Sequence, residues 1–175
     1  LFNKVKSLSG GGAYRIYPSQ TQDKKKNPLD FKVKVKFLRK MFPKHARNIM
    51  ADKGMRTAFD VVTALYDQGY VECTMVVGED RLIEFDKLLH KYNNVKGRHG
   101  FYNFKVLKVV SAGARDPDAD DASGMSASKL RAAASANDLK TFSKGMPDGF
   151  KDVENLFNAV RSGMGLKESN NYRQH

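Results

Sequence analysis

Residues 71–78 read VECTMVVG, an apolar run that ends in glycine, and residues 104–113, FKVLKVVSAG, repeat that arrangement later in the chain. Between them, residues 79–93 (EDRLIEFDKLLHKYN) place apolar side chains at helical spacing. A strand, a helix and another strand in this order predict parallel strands joined by a right-handed crossover. In such sheets, ligands bind beyond the carboxyl ends of the strands, which is where both glycines fall.

Two further amphipathic helices are expected before this unit. Residues 57–69 predict a helix that ends at Gly69. Earlier in the chain, Asn27 as the N-cap and Pro28 at the first helical position predict a helix that Pro43 stops. The expected inward positions are Leu29, Val33, Phe37 and Met41 in the earlier helix, Ala58, Val61, Val62 and Leu65 in the next, and Leu82, Ile83, Phe85, Leu88 and Leu89 in residues 79–93.

The two ends of the chain complete the expected order of elements. Residues 1–9 predict a helix with Leu1, Val5 and Leu8 on one face, and residues 13–17 predict a short strand. The later elements are a helix at residues 126–135, a short helix capped by Asn137 or Asp138 and ending near Lys144, and a last helix at residues 148–163 with Phe150, Val153, Leu156, Phe157 and Val160 inward.

This order of elements predicts an α/β fold: a Rossmann-like parallel sheet flanked by helices. It is expected as one domain at residues 1–147, followed by a C-terminal helix and tail at residues 148–175. A length of 175 residues, with 41% hydrophobic and 29% charged residues, is typical of a globular protein of this size. A mean hydropathy of −0.56 and the lack of a long apolar run exclude a membrane-spanning helix. The opening residues, LFNKVKSLSG, lack the pattern of a signal peptide.

The charge of the chain is strongly positive, at +12 with a pI near 9.8, which predicts attraction to polyanions. Much of the excess lies in residues 24–47, where lysine and arginine recur almost without interruption. Aromatic residues are interleaved there at core spacing. A solvated basic face is therefore favoured over a nucleic-acid groove.

Two loops carry the residue types that bind phosphate or nucleoside groups. Gly78 is followed by Asp80 at the end of a predicted strand, and Ser126, Ser128 and Arg131 open a predicted helix. A helix N-terminus presents unpaired N–H groups and the positive end of the dipole, so it attracts anions. Each loop taken alone is also an ordinary helix cap.

Taken in order, three stretches resemble the nucleotidyltransferase superfamily with a His-x-Gly-His motif, which includes cytidylyltransferase-like and nicotinamide-mononucleotide-adenylyltransferase-like enzymes. Residues 17–43 are similar to its Ser-Gln loop with Asn-Pro and a basic helix, residues 76–80 (VVGED) to its Gly-x-Asp, and residues 125–131 (MSASKLR) to its ISSTxIR signature. The likeness is greatest to bacteriophage members. It implies a place in the cytoplasm of an infected bacterium or in the phage particle.

The resemblance implies a role for the start of the helix at residues 126–135. Ser126, Ser128, Lys129 and the neighbouring amides would bind the triphosphate of ATP or CTP. Arg131 would stabilise the departing pyrophosphate, so Arg131 and Ser128 are the implied catalytic residues. Mg²⁺ would shield the phosphates. The acceptor would attack the α-phosphorus in line, a reaction that depends on positioning and charge neutralisation.

The resemblance also implies where the remaining groups bind. Gly78 and Asp80 would lie beside the nucleoside or the acceptor, and Ser19 and Gln20 would line the acceptor pocket. The expected activity is transfer of AMP from ATP to a phosphorylated acceptor such as nicotinamide mononucleotide. No protein metal site and no nucleophile is expected, because the sequence shows no dyad or ligand cluster.

The chain departs from the superfamily at its start. No His-x-Gly-His motif is present, and residues 1–9 resemble the helix that follows that motif. The first strand and the motif, roughly fifteen to twenty residues, are therefore expected upstream of Leu1, and the sequence as given is expected to be inactive. Ala127 stands where the signature has a hydroxyl residue.

A second interpretation stays open. The same fold with a charge of +12 and no histidine motif also suits a non-catalytic, basic component of a phage particle that associates with nucleic acid or a virion protein. A dinucleotide-dependent oxidoreductase is disfavoured, since the glycines at residues 10–12 precede a predicted strand rather than follow one.

Overall fold

The structure, a computed structural model, describes residues 1–113 and 126–167. The chain divides into two compact units, each built from two separate segments. Unit 1 comprises Leu1–Ile16 and Asp52–Ala114, and unit 2 comprises Tyr17–Ala51 and Arg115–His175. The boundary predicted at residue 147 falls inside the second segment of unit 2.

Helices dominate the described residues. They are α1 (Phe2–Leu8), α2 (Phe31–Met41), α3 (Ala58–Asp67), α4 (Leu82–Lys91), α5 (Ala127–Ser135), α6 (Leu139–Lys144) and α7 (Val153–Gly163), with short 3₁₀ helices at Pro43–Asn48 and Glu79–Arg81. The strands are β1 (Glu72–Val77) and β2 (Val106–Ser111). The structure is thus mixed α/β, as the sequence predicts.

Unit 1 contains the strand–helix–strand segment that the two apolar runs predict. β1 and β2 pair in parallel with Glu72 opposite Val106 and Val77 opposite Ser111, and α4 lies between them in the chain. Within the described residues this sheet has two strands. Gly78 follows the last residue of β1, so the predicted position of this glycine at a strand end is confirmed.

The strand predicted at residues 13–17 is wrong. The described backbone there forms only an isolated β-bridge at Ile16, which is buried, and no strand. The flanks give the reason: Gly10 and Gly11 take positive φ angles, and Pro18 has no backbone N–H to donate to a ladder.

The cap predicted for α2 is also wrong, although the helix itself is confirmed. Asp30 is the N-cap, and its Oδ1 accepts a hydrogen bond of 2.8 Å from the Val33 backbone N–H. Asn27 instead donates its side-chain amide to Asp23 Oδ2 at 3.0 Å. Because Asn27 is held in that turn, the helix begins three residues later than a cap at Asn27 requires.

The core of unit 1 is aromatic and aliphatic, and its fully or largely buried members are Val62, Leu89, Tyr102, Phe104 and Leu107. The Tyr102 hydroxyl donates to the Leu89 carbonyl of α4 at 2.6 Å. The prediction that Ile83 faces inward from α4 is wrong, because this side chain is 82% exposed. Ile83 lies about 200° around the helix from Phe85, so the two side chains cannot share a face.

The described part of unit 2 is helical, and α2, α5, α6 and α7 share its core. Its buried members are Phe37, Ala133, Ala134, Phe142, Met146, Leu156, Phe157 and Val160. Asp138 caps α6 by accepting from the Thr141 backbone N–H at 3.1 Å, which confirms one of the two predicted caps. Arg161 is buried as well, and its guanidinium donates to the Ala134 carbonyl of α5.

α1 buries none of its residues, and Leu1 and Leu8 are exposed. None of the helices in the described ranges combines the length and the apolar character that a membrane crossing requires.

Candidate functional site

The start of α5 has the capped geometry that the sequence predicts. Ser126 is the N-cap, and its Oγ accepts from the Lys129 backbone N–H at 3.1 Å. The Ser128 hydroxyl lies 3.1 Å from the Ser126 hydroxyl and is exposed. The first amides of a helix lack an intrahelical partner, so those of Ala127 and Ser128 have no acceptor within α5. The amides that precede Ser126, which the resemblance implies as further phosphate ligands, belong to residues outside the described ranges.

Arg131 connects α5 to the turn that carries three consecutive lysines. Its Nη1 donates to the Lys26 carbonyl oxygen at 3.1 Å, across 105 residues of sequence. A guanidinium has five N–H donors, and this bond uses one of them. The sequence indicated Arg131 as a phosphate ligand but gave no sign of this bond.

The lysine turn (residues 23–27) is organised by one carboxylate. Asp23 Oδ1 accepts from the backbone N–H groups of Lys26 at 2.6 Å and Lys25 at 2.9 Å, and the Asp23 N–H donates to the Asn27 carbonyl at 2.9 Å. The Lys26 amide is the main reason that the pKa of Asp23 is lowered to about 2, and the Asn27 side chain adds to it. The carboxylate thus stays ionised, and Lys24, Lys25 and Lys26 are exposed.

Ser19 of the predicted acceptor loop is bound to a lysine of α2. Lys34 Nζ donates to the Ser19 carbonyl and to Ser19 Oγ, both at 2.9 Å. Burial lowers the pKa of the Lys34 ammonium. Gln20, the neighbouring predicted residue, is half-buried. Lys34 was not predicted as a site residue; the available signal was its place one turn before Leu38, at the edge of the apolar face of α2.

Gly78 and Asp80 belong to unit 1, whereas the other predicted site residues belong to unit 2. Gly78 precedes the 3₁₀ helix Glu79–Arg81, and its carbonyl accepts from the Arg81 N–H at 3.0 Å. A Cβ added at Gly78 would lie 2.7 Å from Asp80 Oδ1, because the Asp80 carboxylate folds back over the glycine. An alanine at this position would therefore require the exposed Asp80 side chain to turn away.

The two units differ in net charge. Over its two segments, unit 2 carries 19 Lys and Arg against 11 Asp and Glu, a net charge of +8. The described part of unit 1 carries 12 against 8, a net charge of +4. The attraction to anions that the sequence predicts is thus concentrated on the unit that holds Ser126, Ser128, Lys129 and Arg131.

Groups for covalent or metal chemistry are scarce in the described ranges. No group of three or more His, Cys, Asp or Glu there could hold a metal ion. Burial raises the pKa of the Cys73 thiol to about 11, which makes it a poor nucleophile. Both ring nitrogens of His90 lie 2.8 Å from carbonyl oxygens, so this side chain is engaged within unit 1. His175 lies outside the described residues.

Comparison of the chain with protein-family models, with curated proteins and with solved structures finds no match in any of the three. The nucleotidyltransferase resemblance stays a prediction from the sequence.

Proposed function

We propose that this chain is part of a nucleotidyltransferase that binds ATP or CTP and transfers a nucleotidyl group, with AMP favoured, to a phosphorylated acceptor such as nicotinamide mononucleotide, releasing pyrophosphate. Its finer architecture is proposed to be Rossmann-like. The observation that carries the proposal is the hydrogen bond from Arg131 to the Lys26 carbonyl, which places the lysine turn beside the first turns of α5.

This arrangement supports triphosphate binding because several kinds of phosphate ligand come from one region of unit 2. The amides of the first turn of α5 and the exposed Ser128 hydroxyl are neutral donors. Arg131 retains further guanidinium donors, and the lysine turn supplies ammonium groups. A triphosphate carries several negative charges, so a ligand of this class matches the surplus of cations.

In the proposed reaction the protein positions the reactants and neutralises charge. Arg131 would neutralise the pyrophosphate as it leaves, and Ser128 would donate a hydrogen bond to a phosphate oxygen. Mg²⁺ would enter as the magnesium complex of the nucleotide and shield its phosphates.

Nucleotide binding is tested on the chain itself. We expect the affinity for ATP, measured by calorimetry, to fall by about tenfold or more in Arg131→Ala, since a charge-assisted hydrogen bond is lost. The matched control is Lys140→Ala, which removes an exposed cation from α6 and should leave the affinity within about twofold. Equal affinities of the wild type and Arg131→Ala, or equal losses in both variants, would refute the assigned site.

Turnover is tested on the protein extended by any residues that its gene encodes upstream of Leu1. We expect pyrophosphate release from ATP that depends on a mononucleotide acceptor. We expect loss of that release in Arg131→Ala, while circular dichroism shows that the domain stays folded. Normal turnover in this variant would exclude a catalytic role for Arg131.

The charge of unit 2 favours a second candidate function, that of a basic, nucleic-acid-associated component of a phage particle. Lys32, Lys36 and Lys40 are exposed and recur at every fourth position of α2, which places them along one stripe. Phosphate contacts release counterions, so binding to DNA should weaken steeply between about 50 and 200 mM salt. Binding that does not respond to salt, or no binding, would argue against this function.

A further inference from the structure

Lys34 is a cation in a half-buried position whose hydrogen bonds go to neutral oxygens. Its two bonds, each 2.9 Å long, reach the carbonyl and the hydroxyl of Ser19. None of the ion pairs among the described residues involves Lys34. Other lysines of α2 lie in different surroundings: Lys40 forms an ion pair with Asp152, and Lys32 is exposed to solvent.

Burial of a charge without a countercharge is unfavourable, and here it lowers the pKa of the Lys34 ammonium. The described structure supplies no carboxylate to offset that cost. An anion bound from solution would offset it.

Unused donors show where such an anion would sit. An ammonium group has three N–H donors, and two of them are directed at Ser19. The Ser19 oxygen accepts from Lys34, so its own O–H remains to donate elsewhere. The Ser19 side chain is exposed, which leaves it accessible to a ligand. One N–H and one O–H donor, held next to each other by the bond between them, suit an anion with several acceptor oxygens.

We propose that Lys34 and Ser19 together form a binding subsite for a phosphomonoester, the phosphate group of the acceptor. This inference rests on the proposed function for the identity of its ligand and adds Lys34 as a residue that determines acceptor class. Ser19 was expected to line the acceptor pocket, and the structure supplies the cation that makes this position selective for a phosphorylated acceptor.

The test is a titration of the chain with inorganic phosphate and with methyl phosphate, followed by residue-resolved NMR. We expect saturable shifts of the Ser19 amide and of the Lys34 ε-methylene. Acetate tests the alternative that any small anion suffices, and we expect it to bind about tenfold more weakly because it carries a single charge.

Three variants locate the binding. Lys34→Met should lower the phosphate affinity by about tenfold or more, and Ser19→Ala by about threefold, from the loss of a charged and a neutral hydrogen bond respectively. The control is Lys32→Met, which removes an exposed lysine two residues away in the same helix and should change the affinity by less than twofold. If Lys34→Met does not fold, Ser19→Ala decides, because its side chain is exposed.

Three results would overturn the inference: no saturable phosphate shift in the wild type, equal losses in Lys34→Met and Lys32→Met, or acetate binding as tightly as phosphate. The titration contains no nucleotide, so it fails or succeeds separately from the ATP measurement. Phosphate binding at Lys34 without ATP binding at Arg131 would refute the proposed function, and the subsite would then stand only as a phosphate site without its assigned acceptor. ATP binding without phosphate binding would refute the inference alone.

Discussion

The two units of this chain use different means to hold a fold together. In unit 1, aromatic rings pack on a two-stranded sheet, and polar side chains bond to the backbone inside that core: Tyr102 donates to Leu89, and the Asn93 amide group pairs with both the N–H and the carbonyl of Phe104. In unit 2, small residues let helices and loops approach closely, and most of the charge remains outside. The basic surface of unit 2 thus covers a tightly packed apolar interior.

Arg161 and Gly163 show how close this packing is. Arg161 of α7 reaches the Ala134 carbonyl, and its guanidinium carbon lies 5.8 Å from the centre of the Phe157 ring. Gly163 ends α7 directly against Pro28, which lies three residues before the start of α2. Pro28 lies in the chain between the lysine turn and the lysines of α2. Its contact with Gly163 therefore fixes the backbone that connects these two groups of cations.

The largest effect is expected from Gly163→Ala. A Cβ at this position would lie 1.9 Å from the Pro28 carbonyl oxygen, a backbone atom that cannot turn aside. Glycine to alanine in a helix ordinarily stabilises by about 1 kcal/mol, but the overlap should reverse the sign and destabilise unit 2 by about 3 kcal/mol. Urea unfolding followed by circular dichroism measures the change.

Its control is Ser162→Ala, an exposed position one residue earlier in α7 that should change the free energy of unfolding by less than about 0.5 kcal/mol. If Gly163→Ala is as stable as the wild type, the close packing described for unit 2 is incorrect. The contrast with unit 1 then loses its basis.

A smaller effect is expected in unit 1 from Tyr102→Phe. The fully buried Tyr102 hydroxyl donates to the Leu89 carbonyl near the end of α4. In a continuing helix this carbonyl would accept from the Asn93 N–H, but that N–H donates to the His90 carbonyl instead. Removal of the hydroxyl should therefore cost about 1–2 kcal/mol, because a buried acceptor loses its partner.

Tyr70→Phe is the matched control for this hydroxyl, since Tyr70 is exposed and contacts Arg15 at the surface. It should cost a few tenths of a kcal/mol at most. Equal changes in the free energy of unfolding for Tyr102→Phe and Tyr70→Phe, measured with urea, would show that the buried hydrogen bond of Tyr102 contributes no more than the surface one. The contrast drawn between unit 1 and unit 2 would then lose this support.

The elements that the sequence predicted well are those with their own local signals. The apolar runs of β1 and β2 are flanked by glycines, and Gly69 takes the positive φ that ends α3. The failures come from interactions that the local pattern does not contain. Residues 13–17 have a strand-like pattern but no partner strand among the described residues. The Asn27 side chain donates to Asp23 and therefore does not cap α2.

The candidate site divides along the same line. Ser126 as a helix cap follows from local sequence, and the structure agrees. The bonds from Arg131 to Lys26 and from Lys34 to Ser19 join residues 105 and 15 positions apart, and no periodicity encodes them. Long-range contacts of this kind depend on how the helices of unit 2 pack, which explains why Lys34 was not predicted.

The smallest effect is expected from pH, and it concerns His90 of unit 1. Its Nδ1 and Nε2 each lie 2.8 Å from a carbonyl oxygen, of Asp86 and Leu107 respectively, and two acceptors favour the doubly protonated ring. The Asp86 carbonyl is the main cause that raises the pKa of His90 above 6.5. A raised folded-state pKa contributes stability that is complete below about pH 6.5 and is lost as the pH rises through the folded-state value.

Because the imidazole is about half exposed, solvent screening limits this contribution to a few tenths of a kcal/mol. We expect the free energy of unfolding of unit 1 to fall by that amount between pH 6 and pH 8.5, and NMR of the His90 ring to report a pKa above 6.5. In His90→Gln the glutamine amide has no charge to lose, so this part of the pH dependence should vanish. A His90 pKa below 6.5 would mean that folding favours the neutral ring, which can donate from only one nitrogen. One of the two carbonyl contacts would then not be a hydrogen bond, which would weaken the view that α4 is joined to β2 through polar bonds to the backbone.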